Sequence, residues 1–263
     1  MPTRNLVQLN PWAHLRALTD ARIALGRVGN SQTTDTVLAF GLAHAQARDA
    51  VHQPLDSPAV AAALAQAGFA SLVVHSAAVD RAQYLRRPDL GRRLSDASRA
   101  SLAAARPAKP FDTAFVIADG LSALAAQSHG VPLLRSVRER LPANWSIGPV
   151  VIAEQSRVAL GDEIGELLGA RQVVMLIGER PGLSSPDSLG IYLTHAPRVG
   201  RTDAERNCIS NVRPAGLCYD QAADKLVFLL KGAQALGRSG IDLKDDTPVA
   251  NAIAAPTTAQ LQK

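Results

Sequence analysis

Three short stretches carry residue types that can do chemistry at positions where chemistry is usually done. Thr113-Ala-Phe-Val-Ile-Ala118 runs straight into Asp119-Gly-Leu-Ser122, placing an acid and a glycine directly after an apolar run. Val173-Val-Met-Leu-Ile177 runs into Gly178-Glu-Arg-Pro-Gly182, a turn with a carboxylate beside a guanidinium. Between them, Arg157-Val-Ala-Leu-Gly-Asp-Glu-Ile-Gly-Glu-Leu-Leu-Gly169 repeats glycine at 161, 165 and 169. In a helix those glycines share a face, and each interior one costs about 1 kcal/mol relative to alanine. Gly169 reads as the helix terminus. Gly161 and Gly165 either pack tightly on a sheet or leave room for a broad, flat ligand. Plain alternatives stand beside each reading: Gly178 and Pro181-Gly182 are ordinary turn formers, and Glu179 with Arg180 makes a solvated pair.

Several chemistries have no support. The chain contains no G-x-x-x-x-G-K-[ST] phosphate loop, no G-x-G-x-x-G after a strand, no G-x-S-x-G elbow and no H-E-x-x-H. Its six histidines are scattered. Cys208 and Cys218 are too few for a disulfide scaffold and have no CxxC or histidine cluster to hold zinc. A reducing cytoplasm is the expected setting. Met1 to Asn10 has no apolar signal core, and Pro58 to Val79, broken by Gly68, reads as a short helix and then a strand rather than a membrane span.

The elements that must position these residues follow from periodicity. Leu38, Leu42 and Ala45 give an apolar stripe on a helix from about Asp35 to Val51, stopped by His52-Gln-Pro54. From about residue 70, short apolar runs alternate with helical stretches: Leu72–Val74, Thr113–Ala118, Ile147–Ala153, Val173–Ile177 and Ile191–Thr194. Such runs are strands buried on both faces, and intervening helices imply right-handed crossovers. The expectation is an α/β protein: a helical N-terminal region over 1–69, a Rossmann-like layered domain with a mainly parallel sheet over 70–246, and a disordered tail over 247–263. Ligands of such sheets bind beyond the carboxyl ends of the strands, where Asp119 and Glu179 fall.

With 263 residues, 47% apolar, the chain has ample material for a core. The formal charge of +5 is local: Arg81 to Lys109 holds eight basic residues against Asp89 and Asp96, so the remainder is slightly acidic. Tyr84 is the sole aromatic of that segment, which argues against nucleic acid.

The long run from Arg157 to Ala170, the continuation through Gly-Glu-Arg-Pro-Gly182, Ser184-Ser-Pro-Asp-Ser-Leu-Gly190 and Asp203-Ala-Glu-Arg-Asn-Cys-Ile-Ser-Asn211 together resemble the light (small) chain of ethanolamine ammonia-lyase. Ala21 to Gly29, Tyr84-Leu-Arg-Arg-Pro-Asp-Leu-Gly-Arg-Arg93 and Val116 to Ser122 fall in the family's order, and the likeness spans about residues 10 to 246.

The resemblance implies a two-chain enzyme that uses adenosylcobalamin to convert ethanolamine into acetaldehyde and ammonia. Homolysis of the cobalt–carbon bond starts the radical reaction, and the protein supplies binding and orientation. The large chain, a TIM barrel, holds substrate and radical-handling residues; the light chain covers the corrin from the other side. No catalytic residue and no metal ligand is therefore assigned to this chain. Three positions match cofactor contacts of the family: Val158, Glu179 and Cys208. Glu179 can accept N–H bonds from corrin carboxamides, the Val158 backbone can meet an amide, and the Cys208 thiol can pack on an apolar edge. Read without the family, Val158 is equally a core residue at a helix entry and Cys208 a buried structural thiol.

No Asp-x-His-x-x-Gly motif is present, so base-on binding, with the cofactor's own nucleotide base on cobalt, is expected. The implied partners are the large subunit and ethanolamine, with no nucleic acid and no membrane. The implied location is the cytoplasm, with a bacterial microcompartment as the alternative. The arginine-rich segment then suits pairing with carboxylates of its own fold or of the large chain. A free-standing Rossmann-like nucleotide-binding protein or oxidoreductase is the competing reading, for which Asp119-Gly120 does not supply the needed glycine pattern.

Overall fold

The structure is a computed structural model and describes residues 6–246. The tail expected to be disordered, 247–263, lies outside the described residues.

Residues 6–33 include a 3-10 turn (Ala13–Leu18) and a two-residue ribbon, β1 (Arg27–Val28) and β2 (Ser31–Gln32), joined through Gly29 at a φ of 59°. Two helices follow, α1 (Thr34–His52) and α2 (Ser57–Gln66). Asp56 caps α2 by accepting from Ala59 N at 3.0 Å, with Pro58 in the first turn where its missing N–H is harmless.

The alternating part begins at β3 (Ser71–His75) and continues through α3 (Arg81–Arg86), α4 (Asp96–Ala104), β4 (Thr113–Ala118), α5 (Ala123–Arg140), β5 (Val150–Glu154), α6 (Leu160–Leu167), β6 (Gln172–Gly178), β7 (Leu189–His195), β8 (Arg206–Val212) and α7 (Tyr219–Leu236). The six strands lie in the order β3-β5-β4-β6-β7-β8. The first four are parallel; β7 and β8 add antiparallel. The mainly parallel α/β sheet read from the sequence is the fold of the chain.

The sheet carries a separate core on each face, because successive residues of one strand point to opposite sides. Phe115 and Ile117 of β4 join a core with Ile152, Val174, Leu176 and the apolar faces of α2, α5 and α7. Ala114, Val116 and Ala118 face a second core with Val151, Met175 and Ile164 under α4 and α6. Gly161 and Gly165 serve this second layer: a Cβ on Gly161 would stand 2.6 Å from Met175, and one on Gly165 2.5 Å from Pro197. The close approach of α6 to the sheet, not space for a ligand, is what these two glycines permit. Gly169 takes a φ of 65° just past α6, as a helix terminus requires.

Two expectations need correction, and one strand was not expected. The apolar run Ile147–Ala153 becomes a strand only from Val150, because Pro149 cannot donate to the ladder. The strand not expected is β8, which carries no apolar run; its exposed Cys208 and Ser210 flank buried Ile209, as suits an outer strand. The α1 helix forms as expected, but its stripe is not core: Leu38 is 67% and Leu42 62% exposed, and of this helix only Ala43 and Ala50 are buried. Among the described residues no helix is long and apolar enough to cross a membrane.

Candidate functional site

The carboxyl ends of β4, β5 and β6 meet at one rim, and two glycines let them interlock. Gly120, at a φ of 55°, lies so close to the Gly178 carbonyl that a Cβ would collide with it, and Leu121 N donates to that carbonyl at 2.9 Å. A Cβ on Gly178 would strike the backbone oxygens of Ser122 and Asp119. These glycines therefore do more than form turns. They also fill the space at the start of α5, where Ser122 Oγ donates to Pro186 O at 2.8 Å. A dinucleotide pyrophosphate has no open glycine turn to enter there.

Asp119 is turned inward. Its carboxylate accepts from Gln155 N at 2.8 Å, Ser156 N at 2.9 Å and Arg81 Nη1 at 3.2 Å. Burial outweighs these donors and pushes the carboxyl up to about 6. Asp119 thus ties down the turn after β5, where Gln155 adopts a φ of 53°, uncommon without glycine. Tyr84 adds a second anchor: its hydroxyl donates to Ser156 O at 3.0 Å, and the guanidiniums of Arg81 (4.7 Å) and Arg157 (4.3 Å) lie over its ring. Burial, reinforced by Asp119, pushes the Tyr84 phenol well above its ordinary value. The result is a rigid presentation of Arg157 and Val158 just before α6.

A cavity of about 360 Å³ opens at this rim, lined by Tyr84, Gly120, Arg157, Val158, Glu179 and Tyr192 among others. Two of the three sequence-designated residues, Val158 and Glu179, thus share one pocket. The third, Cys208, does not line it. It sits one strand away, opposite Tyr192 in the β7–β8 register, and is exposed, which removes the reading of it as a buried thiol. Val158 is half-buried against the second core, so it serves that core and the pocket together. Burial, then the nearby Cys208 and Glu179, raises the Tyr192 phenol far above its usual range and keeps it a neutral donor.

Glu179 is held in place. Its Oε2 accepts from the Ser188 hydroxyl in a short contact and from Asn211 N at 3.4 Å, while its backbone N donates to Ser188 O at 2.9 Å. Gly190 leaves room for it; a Cβ there would stand 3.0 Å from Oε1. Among the described residues that oxygen has no hydrogen-bond donor, and it remains able to accept.

The profile of the family described as ethanolamine ammonia-lyase light chain matches residues 9–244 of this chain. The chain belongs to that family. The ethanolamine ammonia-lyase small subunit of Pseudomonas fluorescens is 57% identical over 243 residues, covering 91% of this chain and 89% of its own. That of Azotobacter vinelandii is 57% identical over 253 residues (95% and 94%), and that of Ralstonia nicotianae 59% over 248 residues (92% and 91%). The chain is thus a light chain of a carbon–nitrogen lyase.

In this light chain, sequence reasoning missed Tyr84 and Tyr192 in the pocket wall. It also missed the buried pair that braces the neighbouring wall, where Arg206 Nη1 and Nη2 donate to Asp162 at 2.6 and 2.7 Å. Tyr84, the sole aromatic of its basic segment, carries no local sign of a site, and nothing local marks Tyr192. Asp162 and Arg206 lie 44 positions apart, and no spacing rule links them.

Proposed function

We propose that this chain is the light subunit of an adenosylcobalamin-dependent ethanolamine ammonia-lyase and holds one edge of the corrin. The observation that carries the proposal is the meeting of Val158 and Glu179 in one pocket at the strand ends, with Cys208 beside the pocket residue Tyr192. The residues fit a corrin rim chemically. Glu179 Oε1 can accept from a carboxamide, the Tyr192 hydroxyl is a neutral donor, and Val158 with Cys208 offers apolar and polarisable surface. The pocket is sized for an edge of a macrocycle, not for the whole, so a second chain must complete the site.

When bound, adenosylcobalamin supplies the radical by homolysis of its cobalt–carbon bond. The light chain's part is to bind and orient: Asp119 and Tyr84 fix the turn carrying Arg157 and Val158, and Ser188 aims Glu179. Substrate-handling residues belong to the large chain, base-on binding is retained, and the cytoplasm is the proposed location.

A surface for the large chain is supplied by the N-terminal residues. Leu6, Leu9, Trp12, Leu18, Leu38, and Leu42 are each more than 60% exposed and crowd into the first 42 positions. Exposed apolar side chains in this number are what a subunit buries on assembly.

The test is co-expression with a large chain, followed by ammonia release from ethanolamine with adenosylcobalamin. Activity and co-purification are expected; absence of both defeats the proposal. Glu179→Ala should weaken the cofactor titration while leaving the fold intact, and an unchanged titration would remove Glu179 from the site.

A further inference from the structure

On the face of the sheet away from α6, α5 carries a buried titratable side chain that lines no part of the pocket. His129 is 6% exposed, and both its ring nitrogens are engaged. Nδ1 lies 2.8 Å from the Tyr219 hydroxyl at the start of α7, and Nε2 lies 3.2 Å from Asp187 Oδ2. Burial, reinforced by Asp187, raises the Tyr219 phenol above its ordinary value, so its hydroxyl keeps a proton to give. A neutral imidazole with its proton on Nε2 meets both demands, accepting from the phenol and donating to the carboxylate. At that burial the ring is a support and has no face for a substrate.

Asp187 sits in the loop between β6 and β7, and α5 grips that loop at two consecutive residues. Ser122 Oγ donates to Pro186 O at 2.8 Å, and His129, two helical turns further on, meets Asp187. The next residue is Ser188, whose hydroxyl donates to Glu179 Oε2 and whose carbonyl accepts from Glu179 N at 2.9 Å. The other oxygen of Asp187 faces Arg213, with Oδ1 3.7 Å from Nη1. Arg213 Nε in turn donates to Asn211 Oδ1 at 3.0 Å, and Asn211 N is the second donor to Glu179 Oε2, at 3.4 Å. Asn211 is at a φ of 60° and is kept there by Leu217 N, which donates to its carbonyl at 2.8 Å. Both donors that fix Glu179 Oε2 therefore trace back to Asp187, and Asp187 to His129.

We propose that His129 is a positioning residue for Glu179, acting through Asp187. This rests on the corrin-edge reading of Glu179 above and deepens it with residues that lie outside the pocket. A glutamate left free at a rim visits several rotamers and loses that freedom when it binds. One already held at Oε2 by Ser188 and Asn211, with Oε1 open, has lost it in advance, and its binding is stronger for that. Removing His129 releases Asp187 without changing any residue of the pocket wall. A histidine that only joined α5 to α7 would need Tyr219 and no contact with the loop; the bond to Asp187 is what extends its role to the site.

The experiment is a double-mutant cycle on the complex of light and large chains, with adenosylcobalamin as the probe and dissociation constants from equilibrium dialysis. His129→Leu should weaken binding about tenfold, the scale of one lost buried hydrogen bond. His129→Gln, whose amide N–H still reaches Asp187, should recover most of that loss. Added to Glu179→Ala, His129→Leu should cost nothing further, because the carboxylate it positions is gone. A purely structural role would lower affinity by the same factor in both backgrounds, and that result overturns the proposal. Equal affinity of His129→Leu and wild type overturns it too. Should His129→Leu fail to fold, Arg213→Gln breaks the network at its other end: a loss of about threefold is expected with Glu179 present and none without it, and an equal loss in both backgrounds again overturns the proposal. If Glu179→Ala alone leaves cobalamin affinity unchanged, the corrin-edge reading of Glu179 fails and takes this proposal with it, an outcome distinct from the others.

Discussion

Replacing Asp119 by alanine tests how the turn at the centre of the site is held. The substitution leaves Gln155 N–H and Ser156 N–H without the acceptors they have at 2.8 and 2.9 Å. At about 1–3 kcal/mol for each orphaned donor, the loss is about 2–6 kcal/mol. A second effect has the opposite sign. The buried carboxyl titrates at about 6 instead of 3.8, so the folded state binds its proton more tightly than the unfolded state does. The stability linked to that proton is fully present below pH 3.8 and is lost as pH rises through about 6, a total of about 3 kcal/mol. Between pH 4.5 and 7.5 the wild type should lose about 2 kcal/mol from this source, and the alanine variant none. The variant is therefore less stable throughout, yet its deficit shrinks toward neutral pH.

Urea unfolding of both proteins at the two pH values reads this directly, because titrations common to both cancel in the difference. A deficit that grows by a similar amount toward pH 7.5 would refute the reasoning. It would mean that Arg81 and the two amides, not burial, dominate the carboxyl. The variant should also release the Arg157–Val158 turn and weaken cobalamin binding in the complex.

Three further outcomes follow from the geometry. Arg206→Ala strands the Asp162 carboxylate, which is 2% exposed, and should cost about 3–5 kcal/mol; a joint Asp162→Leu, Arg206→Met exchange should recover much of it, checked by thermal unfolding. Gly178→Ala drives a methyl into the Ser122 and Asp119 carbonyls, which are backbone and cannot rotate away, so a loss of about 3 kcal/mol or more is expected, with reduced soluble yield as its first sign. Leu38→Glu with Leu42→Glu should change the stability of the light chain by no more than about 0.5 kcal/mol, since both side chains are already exposed, but should abolish co-purification with the large chain.

The readable part of the fold was the part where one physical demand decides the residue types. The strands β4 and β6 are buried on both faces and so are nearly uninterrupted apolar runs; their ends, and hence Asp119 and Glu179, followed. Where two demands compete, the pattern misled. The α1 stripe has the spacing of a core-facing helix yet lies exposed, and the surface proposed for the large chain would obey the same 3.6-residue period as a core. The polar outer strand β8 left no run to read. The site's supports were illegible for a different reason. Tyr84 reaches Ser156 across 72 positions and Asp162 reaches Arg206 across 44, so their pairing exists only once the crossovers are made.

The arginine excess shows how far charge counting reaches. Eight basic residues between 81 and 109 were expected to meet carboxylates, and for Arg81, Arg87 and Arg99 the chain supplies them: Asp119, Asp89, and Glu163 with Asp96. These pairs are structural, and the buried one at Asp119 sets the turn on which the site is built. Arg92 and Arg93, in the same segment, are exposed and make no ion pair among the described residues. A fold that needed positive charge only for internal pairing would carry an acid for each of them, since exposed unpaired guanidiniums on one wall repel one another. The count of charges thus shows the excess, and only the tertiary pairing divides it into arginines the fold itself satisfies and arginines it leaves exposed.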